Sequence, residues 1–340
     1  AVRSSISFSD DWRYQLAVTM ECSAEICEPG LVLANVALIM MPAGGSGAVK
    51  MSLKNKTLFI TGASRGIGLA IARRAASEGA NVVVAAKTDR PHRKLQGTIH
   101  TAARDVEESG GQALPLVMDV REEASVRTAI KSAAEHFGGI DIVVNNASAI
   151  QLTDVRATEM RRFDLMHQVN VRGTYMVSKY ALPYLEKAVN PHILMLSPPL
   201  DMQSKWFAGH TAYSIAKFGM SLCVLGLAAE LRAQGIAVNA LWPRTTIATA
   251  AIRNVLGGEA MMQASRRPEI VADAAALIFQ KPATSFSGQF LIDDSFLWAE
   301  GQSEFDHYRV NSSVALQPDF FVPEASVPPV SLDAVSVDPN

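Results

Sequence analysis

The sequence is poor in the features that mark several large classes of protein. Cysteine occurs three times, at Cys22, Cys27 and Cys223. That is too few for a disulfide framework, and no Cys/His spacing suits zinc, so no metal site is expected. Cys22 and Cys27 could pair locally, but unpaired thiols in a reducing compartment are the expected state. Charge of one sign is also missing. The formal net charge is −2 with no block of like charges, which offers no footprint for nucleic acid or an anionic membrane. Long apolar runs are absent too. Leu31 to Met41 is too short to span a bilayer, so no transmembrane segment is expected. The acids before it (Asp10, Asp11, Glu21, Glu25 and Glu28) argue against both a signal peptide and a transit peptide. We find no internal repeat.

The chain has 340 residues, 49% of them apolar, enough for one large domain or two small ones. Residues 1–50 show little periodicity, and Ala43-Gly44-Gly45-Ser46-Gly47 reads as a linker. Met51 stands immediately before the first strand. The expected organisation is a weakly ordered extension over 1–50, one domain over 51–305 and a largely irregular extension over 306–340. Asp319 to Asn340 is rich in proline and acid and holds no base, which predicts a solvated tail. It ends Val337-Asp338-Pro339-Asn340, so a Ser-Lys-Leu peroxisomal address is not expected. A cytoplasmic location is expected, with peroxisome or mitochondrion open for a eukaryotic chain.

Lys54 to Ala80 organises the rest. Leu58-Phe59-Ile60 reads as a buried parallel strand. Thr61-Gly62-Ala63-Ser64-Arg65-Gly66-Ile67-Gly68 follows, and a helix is predicted over Leu69 to Ser77. A glycine-rich turn between strand and helix presents backbone N–H groups and the helix dipole to a pyrophosphate. Gly62 suits the tight turn, Gly66 the approach of phosphate, and Gly68 close packing of helix on strand.

Further strands are predicted at Asn81–Ala86, Ala113–Met118, Ile140–Val144, His192–Leu196, Ala237–Leu241 and Gln289–Ile292. Helices are predicted at 98–110, Ala124–His136, Met160–Gln168, Gly173–Ala188, Thr211–Arg232 and Ile270–Phe279. This alternation predicts an α/β fold: a doubly wound, seven-stranded parallel sheet of Rossmann type, with helices on both faces, in a single domain. Lys87-Thr88 stands at the carboxyl end of the second strand, where such folds discriminate cofactors. No acid precedes Asp89 there, and Lys87, Arg90, His92, Arg93 and Lys94 crowd the loop. Arg65 in the phosphate turn points the same way. NADP(H) is therefore expected in preference to NAD(H), which stays possible.

Tyr213 and Lys217 lie one helical turn apart on one face. A free tyrosine titrates near 10, and a neighbouring ammonium would favour tyrosinate, so the pair suits general acid/base chemistry. Taken in order, the glycine turn, Asp119, Asn145-Asn146-Ala147, Asn170, Ser197 and Tyr213-x-x-x-Lys217 resemble the short-chain dehydrogenase/reductase family over roughly Met51 to Asp294. Lys87-Thr88 with Pro91-His92, Ser197-Pro198-Pro199-Leu200, Ala240-Leu241-Trp242-Pro243 and Gln317-Pro318-Asp319-Phe320-Phe321 resemble one subgroup, the hydroxysteroid dehydrogenase-like protein 2 group. Some members of that subgroup carry a sterol-carrier domain, which is not expected in a chain of this length.

The resemblance implies an NAD(P)-dependent oxidoreductase interconverting a hydroxyl and a carbonyl, and a homodimer or homotetramer. It implies Tyr213 as general acid/base and Ser197 as hydrogen-bond donor to the substrate oxygen. Lys217 would bind the nicotinamide ribose and depress the Tyr213 pKa, and Asn170 would hold a water leading from Lys217 to solvent. Gly62, Ser64, Arg65, Gly66, Ile67, Gly68, Lys87, Asp119, Val120, Asn146, Ala147, Tyr213, Lys217, Pro243, Ile247 and Thr249 would line the cofactor site. For Asp119 and Asn145, capping or strand-tying is the plainer alternative.

Three departures from the family pattern stand out. Ser148 replaces a glycine, Arg244 replaces the glycine after Pro243, and Ser197 lies farther before Tyr213 than usual. Because Arg244 cannot enter the left-handed region cheaply, that turn is expected to differ. Ile150, Leu152, Leu200, Met202, Trp206, Phe207, Ile252, Leu256 and Met261 suggest an apolar substrate of fatty, terpenoid or steroid type. The competing reading is a cofactor-binding redox sensor or lipid handler with little catalysis.

Overall fold

We describe a computed structural model of the chain, covering residues 51–91 and 96–335. The expectations for residues 1–50 and for His92, Arg93 and Lys94 lie outside the described residues. Seven strands form one parallel sheet: β1 (Thr57–Thr61), β2 (Asn81–Ala86), β3 (Gln112–Val117), β4 (Ile142–Asn145), β5 (His192–Met195), β6 (Ala237–Trp242) and β7 (Phe290–Ile292). Their order is β3-β2-β1-β4-β5-β6-β7. The order reverses between β1 and β4, and the crevice at the carboxyl ends of those strands is where such sheets bind ligands.

The central strands are apolar throughout because both sheet faces are covered. Leu58 and Ile60 point into one core, with Val82, Val84, Ile142 and Val144. Phe59 points into the other, with Val83, Ala85 and Val143. Helices α1 (Gly66–Ala76), α2 (Ile99–Glu108) and α8 (Glu269–Phe279) cover the first face. Helices α3 (Glu123–Phe137), α5 (Gly173–Leu185) and α6 (Thr211–Glu230) cover the second. Among the described residues, three short helices complete the set: α4 (Met160–Met166), α7 (Gly258–Gln263) and α9 (Asp293–Ala299). Helix α6 is long and apolar enough to cross a membrane by length and composition. Here it packs against β6 and carries Tyr213 and Lys217 into the fold.

Residues 319–335 correct the solvated-tail expectation, whose last part, 336–340, lies outside the described residues. Residues 309–335 run almost without regular structure, yet they are packed. Phe321 is fully buried. Leu316 N–H donates to Leu332 O at 2.7 Å, and Val335 N–H to Ser312 O at 2.8 Å. The phenylalanine pair and the main-chain bonds bind this strap to the domain in spite of its prolines and acids.

Candidate active site

The phosphate turn is built as its glycines require. Gly62 has φ of 68° and Gly66 φ of 60°, a region open to glycine at little steric cost. Gly68 serves close approach. A Cβ there would lie 2.5 Å from Asn146 Nδ2 and 3.0 Å from Gly62 O. Asn146 is the tie that fills this space: its Nδ2 donates to Thr61 O at 2.9 Å and to Gly62 O at 3.2 Å. Thr61 Oγ1 accepts from the N–H groups of Asn146 and Ala147, both at 3.0 Å. Gly68→Ala must therefore displace Asn146. We expect it to cost about 1–3 kcal/mol of stability and to weaken dinucleotide binding, read from a urea midpoint and a fluorescence titration.

Ser64 is buried. Arg65 does not stand free for a phosphate. Its Nε donates to Gln96 O at 2.8 Å and its Nη2 to Gly97 O at 2.7 Å, clamping the turn to the segment before α2. Lys87 is exposed and lies 3.9 Å from Asp119 Oδ2. Asp119 also takes the Arg121 guanidinium at 2.6 Å, and its pKa is lowered by Arg121 and Lys87 in the face of partial burial. Val120 packs in the core against Gly173. Thr249 faces Gly66, its Cγ2 3.4 Å from where a Cβ would stand, whereas Ile247 is a core residue bridged to Arg266. Ile67 packs on the same core. A cleft of about 540 Å³ opens beside the turn, lined by Arg65, Gly66, Leu69, Arg73, Thr249 and Arg253 among others.

On the other side of the crevice stand the residues expected to do chemistry. Asn145 is tied to α5 through Ser178 Oγ at 3.0 Å. Asn170 sits in a π-helical turn, His167–Arg172, between α4 and α5; such turns often mark functional sites. Its carboxamide accepts from Ala149 N at 2.8 Å and donates to Ala149 O at 3.0 Å. The side chain thus holds the loop after β4, and a water for Lys217 would have to share Oδ1 or use the main chain. Ser197 is fully buried, and its Oγ has no hydrogen-bond partner among the described residues. The next residue is fixed by Ser221, whose Oγ donates to Pro198 O at 2.6 Å.

Lys217 reaches across to Leu196 O at 2.6 Å and lies 4.9 Å from the centre of the Trp242 ring. Burial lowers its pKa to about 7, against the pull of the Asp319 carboxylate. Tyr213 departs from expectation. Burial, and then the charge of Asp319, raise its pKa above the ordinary tyrosine value rather than depressing it. A buried ammonium that itself tends to lose its proton is a weak support for tyrosinate.

Pro243 is buried, and the turn after it differs as Arg244 requires, but through an anchor rather than a strained backbone. Arg244 is buried and pairs with Asp294 at 2.7 Å. Nothing in the sequence linked Arg244, Arg266, Asp294 and the strap. Asp319 and Phe321 were missed as site residues as well. The Gln317–Phe321 run was visible as a subgroup feature, and its two aromatics were the available signal against a solvated tail.

The donor set fits a dinucleotide: a glycine cradle that side chains would fill, and a buried hydroxyl without a partner at the tip of β5. The short chain dehydrogenase family model matches residues 56–257. A hydroxysteroid dehydrogenase-like protein 2 from Danio rerio is 58% identical over 78% of this chain, and the match spans 63% of that protein's length. A solved short chain dehydrogenase from Mycobacterium thermoresistibile is 50% identical, with a TM-score of 0.77, over 82% of this chain and 98% of that one. A metagenomic short-chain oxidoreductase solved in complex with NADP is 25% identical, with a TM-score of 0.59, over 71% of this chain and 98% of that one.

Proposed function

We propose that this chain, which belongs to the short chain dehydrogenase family, is an NAD(P)-dependent oxidoreductase that uses NADP(H) to interconvert a carbonyl and a hydroxyl on an apolar substrate, with Tyr213 as general acid and base. The observation that carries the chemistry is that Tyr213 and Lys217 are buried one turn apart on α6, with Lys217 Nζ donating to Leu196 O, the carbonyl next to the buried and unpartnered Ser197 hydroxyl beyond β5. The nicotinamide, when bound, supplies or takes up hydride. Ser197 Oγ orients the substrate oxygen and stabilises charge developing on it. Tyr213, protonated at neutral pH because burial and Asp319 raise it, is set to deliver a proton to that oxygen. Lys217 holds the floor of the site through Leu196 O and binds the ribose.

The cofactor preference rests on Lys87 and Arg90 at the end of β2, with Arg73 lining the adjacent cleft. The acid that follows is occupied, since Asp89 meets His100 at 2.8 Å. Complex formation with NADP by the metagenomic relative supports the same choice. The apolar substrate rests on Ile150, Leu152, Leu200, Trp206 and Phe207, which pack around Tyr213 and Phe218. Homo-oligomerisation and a cytoplasmic location belong to the same reading.

NADPH should bind at least about tenfold more tightly than NADH, a difference of about 1.4 kcal/mol, and Lys87→Glu should reverse the order. Tryptophan quenching measures both. A panel of medium-chain, terpenoid and steroid ketones should then show NADPH oxidation. Tighter binding of NADH would reject the phosphate assignment, and no turnover across the panel would favour a binding protein over an enzyme.

A further inference from the structure

Tyr213 belongs to an apolar cluster of its own. Two larger clusters cover the faces of the sheet. This third one gathers Tyr213, Phe218 and Phe321 with Trp242 and Ile292, the last residues of β6 and β7. Leu200, Trp206 and Phe207, three of the side chains assigned to the substrate, pack against it.

Phe321 is the hub of that cluster. It is fully buried, and its ring centre lies 5.3 Å from Phe218, 5.9 Å from Trp242, 6.0 Å from Tyr213 and 6.1 Å from Trp206. Aromatic rings at these separations are in contact, so no further ring fits between them. The φ of 67° at Phe321 is a left-handed conformation that a bulky residue holds only where its surroundings impose it. The surroundings here do so. Gln317 O accepts from Thr246 N at 2.9 Å, and Asp319 N–H donates to Arg244 O at 2.9 Å. Phe320 O accepts from Trp242 Nε1 at 2.7 Å. On the far side of the ring, Arg244 Nη1 donates to Ser326 O at 2.6 Å. The facing wall is fastened as well. Trp206 Nε1 donates to Asp201 Oδ2 at 2.8 Å, Ser214 Oγ donates to Trp206 O, and Lys205 pairs with Glu324 of the strap. The main chain on both sides of Phe321 is therefore fixed, and its ring is hemmed in by the four it touches.

A substrate oxygen that reaches the Tyr213 hydroxyl brings the carbon skeleton behind it up against this wall. A straight chain is only a methylene group wide and passes where a fused ring system does not. Such a wall selects by building a clash against the bulkier body. We propose that Phe321 is a specificity-determining residue of this active site: its ring closes the space beside Tyr213, so that a slender, open-chain apolar carbonyl compound is taken in preference to a fused-ring one. The proposal rests on the oxidoreductase reading above for the role of Tyr213 and narrows its substrate class.

The probes that test it are methyl octyl ketone, which is open-chain, and androstanedione, which is fused-ring. Trp206 and Trp242 both lie against Phe321, so tryptophan quenching reports either ketone binding there, with NADP+ present to prevent reduction. Wild type should bind methyl octyl ketone at least about tenfold more tightly than androstanedione. Phe321→Gly, which removes the ring and accepts the left-handed backbone, should bring the two within about threefold of each other. Phe321→Leu should fall between. The ratio of kcat/KM for the two ketones with NADPH should move in step. A merely structural role would weaken both ketones by one factor. An unchanged ratio in Phe321→Gly therefore overturns the proposal, as does a wild type that prefers androstanedione or binds neither ketone. Should Phe321→Gly fail to fold, Phe321→Leu carries the test, and an unchanged ratio there is equally fatal. Turnover of neither ketone would sink the oxidoreductase reading, and the binding ratio would still decide the role of the wall.

Discussion

Tyr213→Phe should lower kcat for carbonyl reduction by roughly 10²–10⁴-fold and leave dinucleotide affinity unchanged. The ring is the structural part of this residue and the hydroxyl is the chemical part. The ring packs among Ala216, Phe218, Trp242 and Phe321, and phenylalanine keeps all of that surface. The removed atom is the one to which the proposed reading assigns proton transfer to the carbonyl oxygen. The electrostatics add a direction. Burial and the Asp319 charge raise the Tyr213 pKa, so at neutral pH the acid form is fully populated and reduction is favoured. Alcohol oxidation needs the tyrosinate and should gain rate as pH rises above neutrality in wild type. Single-turnover oxidation of bound NADPH separates the step from product release. A variant within tenfold of wild type would mean that the proton comes from water or from another group, and the assignment of Tyr213 would fall.

Much of this arrangement can be read from residue order, for definite physical reasons. The inner strands are apolar on both faces, so β2 is legible to the residue as Asn81–Ala86. The start of α6 is legible at Thr211 for the Tyr-x-x-x-Lys spacing it must carry. Where the reading slipped, a tertiary contact decided the outcome. The fourth strand was expected from Ile140, but Asp141 is turned to Lys56 Nζ and Thr57 N at 3.0 and 2.9 Å, and β4 starts at Ile142. A helix was expected through Gln168, but a π turn inserts a residue from His167, and a 3.6-residue period cannot show that. Arg65 looked like a phosphate ligand because its residue type and position fit, and only the carbonyls of Gln96 and Gly97 reveal its other use. The tail was misread because composition averages over residues: its prolines and acids outnumber the two phenylalanines that fix it.

Arg244→Ala should destabilise the protein by about 3–5 kcal/mol, the usual cost of removing one partner from a buried ion pair. Arg244 Nε donates to both oxygens of Asp294 at 2.7 and 2.8 Å. Its terminal nitrogens hold Ser295 Oγ at 2.6 Å and the strap at Ser326 O, also 2.6 Å. Arg266 meets Asp294 Oδ2 at 2.9 Å, and these charged side chains are almost wholly out of water. Arg244 and Arg266 balance Asp293 and Asp294, so the alanine variant leaves one buried negative charge uncompensated. That charge sets the pH dependence. Burial and Asp294 already push Asp293 up to about 7 from an ordinary 3.8. A carboxyl raised on folding contributes stability that is fully present below its unfolded value and is lost as pH rises through its folded value. Wild type should therefore lose some stability between about pH 4 and pH 7 from this group. Arg244→Ala should lose more, because Asp293 and Asp294 then repel with one fewer cation between them. Urea midpoints taken across that range should show the variant nearest to wild type at the acid end and farthest from it above neutrality. Arg244→Lys keeps the charge but not the fork that grips both oxygens and the strap, so it should fall between the two. A variant whose midpoint matches wild type at every pH would show that the pair is dispensable and that the strap is held by Phe321 and its main-chain bonds.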